Sequence, residues 1–216
     1  MRKILLVLVL SVLKLCPANA QGNWELKTDK DGIKVYVSQV TESKIKAIKV
    51  ECDVNATASQ LVALIMDVNT ATGWVYHLKS CSLLKQVSPS GLYYYAEVNL
   101  PWPAENRDFV GHLTVTQNPD TKVVTIDGPS EQGMVPIKTG IVRITNSFGK
   151  WVITPTGTNK INVQYTILVD PGGSIPSWLV NMFAIQGPLQ IFRNMKLQLQ
   201  RPVYKNIGIA FVNNEP

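Results

Sequence analysis

Apolar and polar side chains alternate from Ile161 to Val169, the pattern of a strand with one buried face. Asp170-Pro171-Gly172-Gly173 then breaks the pattern: Pro171 cannot donate to a ladder, and paired glycines accept turn geometry. Beyond the turn the period changes. Ile175, Trp178, Leu179, Met182, Ile185, Leu189, Phe192, Met195 and Leu199 recur at helical spacing, an apolar stripe roughly 36 Å long at 1.5 Å per residue. Ser174 is a candidate N-cap, and Pro176 suits a first turn whose amides lack partners. Gly187-Pro188 interrupts the stripe, so a bend or hinge is expected there.

The same reading gives the rest of the chain. Gly32–Val40 and Lys44–Val54 alternate around a polar turn and predict a hairpin. Thr57 and Gln60 have capping-box spacing ahead of Leu61, Leu64, Ile65 and Val68, one face of a short helix. Strands are expected at Ser80–Val87, Leu92–Leu100, Phe109–Gln117, Lys122–Asp127, Lys138–Asn146, Lys150–Pro155 and Lys160–Val169. The turns between them are rich in Gly, Pro and Asn. Short loops of this kind argue for an antiparallel meander, and so apolar a final helix has to pack across it. The fold class is α+β.

Several landmarks lie along this frame in a fixed order. They are Trp74, Pro101-Trp102-Pro103 with Arg107-Asp108-Phe109-Val110, Gly140-Ile141-Val142-Arg143, Gly149-Lys150-Trp151 with Pro155, and the Asp170–Asn181 segment. Together they resemble the START (steroidogenic-acute-regulatory-related lipid transfer) domain over about Asn23 to Arg201. The resemblance implies a helix-grip fold, a curved antiparallel sheet wrapped around the C-terminal helix with a hydrophobic cavity between them. It also implies a lipid ligand, transient membrane contact, no cofactor and no catalytic residue. The lining expected from the sheet side is Trp74, Tyr95, Glu97, Phe109, His112 and Arg143. From the helix it is Trp178, Asn181, Met182, Ile185 and Phe192. Arg143 stands at the family's Val-Arg strand motif. Some sterol-binding members keep an acid-base pair in the tunnel, but aligning on Arg107-Asp108 puts the basic member at Leu113, so this chain departs from that pattern.

Two orientations are open for the strand Tyr93–Asn99. If Tyr93, Tyr95, Glu97 and Asn99 line the cavity, Glu97 requires a partner such as His112 or Arg143. If they face outward, Glu97 is a solvated charge. The wider helix-grip superfamily includes polyketide cyclases and aromatases, and a Glu97–His112 acid-base pair in the pocket would be the alternative, enzymatic reading. A protein-binding envelope module with a vestigial cavity is a third.

Composition changes this picture in one respect. Arg2 and Lys3, the apolar run Ile4–Leu13 and Ala18-Asn19-Ala20 form a secretory signal peptide over residues 1–20. Its removal lowers the net charge from +6 to +3 by taking away Arg2, Lys3 and Lys14. Residues 21–216 then form one domain, expected to be a monomer in the periplasm or outside the cell. No basic run points to nucleic acid. The motifs of serine hydrolases, zinc proteases and phosphate loops are missing. Cys52 and Cys81 are the cysteines of the mature chain, and export permits a bond that spacing does not decide. His77 and Cys81 are too few to hold a metal unless others converge.

Overall fold

The computed structural model describes residues 24–39, 46–173 and 175–214. The expected signal peptide at 1–20 and the capping candidate Ser174 lie outside the described residues. In chain order the elements are β1 (Glu25–Lys30), β2 (Ile33–Gln39), β3 (Lys46–Val54), α1 (Ala58–Met66), β4 (Leu78–Ser88), β5 (Gly91–Val98) and β6 (Asn106–Gln117). They continue with β7 (Val124–Glu131), β8 (Ile141–Arg143), β9 (Ser147–Gly157), β10 (Lys160–Val169) and α2 (Ser177–Gln198). A short 3-10 segment, Val68–Gly73, follows α1. The strands form one curved antiparallel sheet in the order β1-β2-β3-β10-β9-β7-β6-β5-β4, and α2 grips its inner face. This is the helix-grip fold.

Local chemistry explains most boundaries. At α1 the capping box forms: Gln60 N–H donates to Thr57 Oγ1 at 3.2 Å, and Thr57 N–H donates to Gln60 Oε1 at 2.7 Å. β1 breaks the sequence expectation. Its side chains are mostly exposed, so this edge strand carries no apolar alternation to read. The legible signal is the turn after it, where Asp31 and Gly32 both adopt positive φ (56° and 68°), the two-residue hairpin geometry that Asp-Gly favours.

Two further expectations are corrected. The strand foreseen over Lys138–Asn146 shrinks to Ile141–Arg143, and it pairs parallel to β6 rather than within a meander. α2 begins at Ser177, with Pro176 at the N-cap position; the Pro176 carbonyl accepts from Leu179 and Val180. The bond that spacing left open between Cys52 and Cys81 is absent: both are free thiols, on β3 and on the far edge strand β4, with five strands between them. α2 continues as one helix through Gly187-Pro188.

The core is built by strand parity. Ile33 and Val35, Val50, Cys52 and Val54, Leu92, Leu113 and Val115, Val124 and Ile126, Trp151 and Ile153, and Ile161 and Val163 all turn to one face. From above, α1 adds Leu61, Leu64 and Ile65, and α2 adds Leu189, Phe192, Met195 and Leu199. Phe192 stacks at 5.6 Å on Trp151, which stacks at 4.1 Å on Tyr165.

Candidate functional site

The space between sheet and helix is filled unevenly. Along α2, the C-terminal half is closed: Phe192, Met195 and Leu199 are essentially inaccessible. Towards its N-terminus, Met182, Phe183 and Ile185 are half-buried, and Trp178 is 54% exposed. The sheet has the same gradient. On β10, Ile161 and Val163 are sealed, whereas Tyr165, Ile167 and Val169 in the same inward row keep accessible surface. On the neighbouring strands Tyr94, Val98, Phe109 and Val142 also remain half-accessible. Interiors pack densely unless something else is to occupy them. A partly accessible apolar lining under the first half of the helix is therefore the candidate site.

Three glycines shape its floor. Gly111 on β6, Gly128 on β7 and Gly149 on β9 all lie on the inward face. A Cβ at Gly111 would sit 2.4 Å from the Tyr94 ring, and one at Gly149 would meet the Tyr165 hydroxyl at 3.3 Å. Leu113 occupies the equivalent space over Gly128. The missing side chains let two tyrosines lie flat against the sheet, each with its hydroxyl over a glycine. Burial pushes the Tyr165 phenol up to about 12 and the Tyr94 phenol higher still, with Tyr165 and Cys81 adding to the latter. The half-buried Cys81 thiol is pushed up to about 11, again by burial. At neutral pH these groups carry no charge.

The start of α2 is pinned from below. Arg107, buried and facing inward, donates from Nε to the Pro171 carbonyl (3.2 Å), from Nη2 to the Gly172 carbonyl (3.1 Å) and from Nη1 to the Glu105 carbonyl. It thus ties the β10–α2 turn to the beginning of β6. Higher up, Tyr76 and His77 meet Phe183 edge-on at 5.7 and 5.4 Å, and Tyr76 packs where a side chain on Gly187 would stand. The glycine of the Gly187-Pro188 pair is thereby explained by close packing.

The expected lining residues divide into two sets. Trp74, Phe109, Ile185 and Phe192 do face the interior, and Met182 is half-buried. Trp74 is sealed, and its indole N–H has no acceptor among the described residues. Trp178 and Asn181 lie on the exposed side of α2. Tyr95, Glu97, His112 and Arg143 lie on the opposite face of the sheet, away from the helix. There Arg143 forks onto Asp108, Nε to Oδ1 at 2.6 Å and Nη2 to Oδ2 at 3.0 Å, and donates to the Val135 and Pro136 carbonyls. Asp108 also accepts from the Tyr95 hydroxyl (3.0 Å), which accepts from Lys138 (2.9 Å). Glu97 takes Lys79 and Asn106, each at 2.8 Å, and the Lys79 ammonium in particular holds its carboxyl below the usual range. His112 stacks on Tyr93 at 4.1 Å. Glu97 and His112 sit at register positions opposite Asp108 and Tyr93, four residues apart, so the structure does not assemble the acid-base pair. Among the described residues no metal-ligating cluster converges.

The START domain family model matches residues 10–205 of this chain. The chain belongs to the START domain family. An uncharacterized protein of Pseudomonas aeruginosa is 32% identical over 195 residues, covering 88% of this chain and 96% of its own length. The mouse phosphatidylcholine transfer protein is 26% identical, covering 83% of this chain and 85% of its own. Among solved structures, a STAR-related lipid transfer protein fragment from Xanthomonas axonopodis superposes with a TM-score of 0.75 at 31% identity, over 82% of this chain and 99% of that one.

Sequence reasoning missed Tyr94 and Tyr165 as interior residues of this START domain. Parity could have found them. Tyr94 shares its face with Leu92, Ala96 and Val98, and Tyr165 shares its face with Ile161, Val163 and Ile167, whereas the Tyr93 face carries Glu97 and Asn99. The more apolar of two alternating faces is the inner one.

Proposed function

We infer that this START domain carries one lipid between its sheet and α2 and exchanges it with membranes, without covalent chemistry. The observation that carries the reading is the gradient along α2: the same apolar rows are closed under its second half and left accessible under its first. A lipid burying ~400 Å² of apolar surface there gains on the order of 10 kcal/mol before association costs. The mouse relative transfers phosphatidylcholine by name, and the Xanthomonas relative is described as a lipid transfer protein. We assign the activity to the exported compartment, after cleavage near Ala20.

Membrane contact fits the end of the molecule where α2 begins. Trp102, 89% exposed in the loop before β6, and Trp178 on the first turn of α2 are joined through Arg107, which links the two segments. Tryptophan favours the headgroup level of a bilayer. The mature charge of +3 suits anionic headgroups.

Native mass spectrometry of the mature protein, purified from its host without detergent, tests the reading directly. The expected result is a stoichiometric mass excess matching a lipid in the organic extract. A clean apo mass, with no uptake of added fatty acid, sterol or phospholipid, refutes it.

A further inference from the structure

We propose that the Tyr94 and Tyr165 hydroxyls form a polar subsite inside the cavity for an uncharged hydroxyl or ester carbonyl, so that the cargo is a neutral lipid. The proposal rests on the lipid-carrier reading above and names the class of lipid.

Both phenols lie on the inward face, over Gly111 and Gly149, two strands apart on the floor of the accessible region. Neither hydroxyl has a hydrogen-bond partner among the described residues, in contrast to Tyr95 and Tyr204, whose hydroxyls bond Asp108 and Asp67. A buried hydroxyl is ordinarily satisfied, because leaving it bare forfeits its hydration with nothing in return. The hydroxyls are also not sealed: the one described donor left bare and closed off is the Trp74 indole. Two unpartnered hydroxyls that border open space in an apolar interior are aimed at something that enters it. The inward positions Ser130 and Ser147 lie between them in the β6-β7-β9 register, and they add further uncharged polar groups.

The charge of the cargo follows from what is missing nearby. A phosphate or carboxylate taken out of water requires a cation beside it. Among the described side chains Arg107 is a cation that faces this region from within, and its guanidinium is turned onto the carbonyls of Glu105, Pro171 and Gly172. The other charged groups near β5 and β6 are engaged on the far face: Lys79 with Glu97, Arg143 with Asp108, and Lys138 with the Tyr95 hydroxyl. The phenols and the Cys81 thiol are held neutral by burial. A hydroxyl or carbonyl finds donors and acceptors there, and among the described side chains an anion finds no free counter-charge.

The test uses the mature, delipidated protein with dioleoylglycerol, cholesterol, dioleoylphosphatidylcholine and oleate offered at neutral pH, retention being read by native mass spectrometry. Dioleoylglycerol or cholesterol is expected to be retained in preference to zwitterionic phosphatidylcholine and anionic oleate, and the first pair also tells an acylglycerol-like cargo from a sterol-like one. Y94F and Y165F remove hydroxyls with no protein partner, so each is expected to fold and melt as the wild type does. Together they should weaken retention of the preferred lipid about tenfold, the loss of two ordinary hydrogen bonds. Retention of phosphatidylcholine or oleate equal to that of the neutral lipids overturns the proposal, and so does an unchanged affinity in the double variant. In either case the carrier reading survives. If none of the four lipids is retained, the carrier reading falls with it.

Discussion

Tyr94 and Tyr165 occupy the floor because glycines oppose them; a Cβ at Gly111 would meet the Tyr94 ring at 2.4 Å. Their state at high pH gives a prediction that requires no ligand. An isolated phenol ionises near 10.0, whereas Tyr165 is pushed up to about 12 in the fold and Tyr94 further, by burial in each case. The folded pKa lies above the unfolded one, so the stabilising contribution is complete below pH 10 and lost as the pH rises towards and through 12. In the wild type, the late phenolate absorbance is expected to rise together with loss of near-ultraviolet circular dichroism. Y94F with Y165F should shift that alkaline midpoint upwards. Phenolate forming near pH 10 in both residues while the fold stays intact would mean that their hydroxyls are solvated. At this scale the sequence was legible in residue type and misleading in direction. Three consecutive tyrosines, Tyr93-Tyr94-Tyr95, offer aromatic side chains to both faces of one strand, and parity with distant residues selects Tyr94.

Elements are held in place here by buried polar clamps as much as by apolar contact. β8 is only three residues long and pairs parallel to β6, an arrangement that ladder hydrogen bonds alone support weakly. The Arg143–Asp108 fork secures it, with side-chain exposures of 8% and 1%. Replacing one partner leaves the other buried and unpaired. D108N is therefore expected to cost roughly 3 kcal/mol, which for a domain of this size lowers the melting temperature by about 6–12 °C. Thermal unfolding followed by circular dichroism measures it, and a shift under about 2 °C would mean that the pair is not what holds β8. Arg107 does the corresponding work for α2, through the carbonyls of Pro171 and Gly172. The stripe on α2 was readable from period alone. The role of Arg107-Asp108 was not, because neighbouring residues on a strand point to opposite faces: one clamps the helix turn inside, the other clamps β8 outside.

For the whole molecule, the closed and accessible halves of the interior set a direction from the packed end under Phe192 and Leu199 to the end where α2 starts. Exchange with a membrane through that end predicts that W102A with W178A slows transfer between vesicles several-fold while the lipid content of the purified protein is unchanged. Equal transfer rates would place docking elsewhere, and loss of bound lipid would make these tryptophans part of the cavity instead. Sequence by itself determined the α+β class, the capped first helix, the long apolar helix after a glycine turn, and the order of landmarks that marks the family. Those features are local, and 2-residue and 3.6-residue periods are written directly into the chain. Tertiary structure alone decided which face of β5 and β6 looks inward, since that depends on the registers Glu97–Asp108 and Tyr94–Gly111 across strands. It also decided that Glu97 and His112 stay apart, and that β1, with no buried face to reveal it, joins the sheet as an edge. Pairing partners far apart in the chain fix side-chain direction, so the chemistry of the interior became readable only once the strands were side by side.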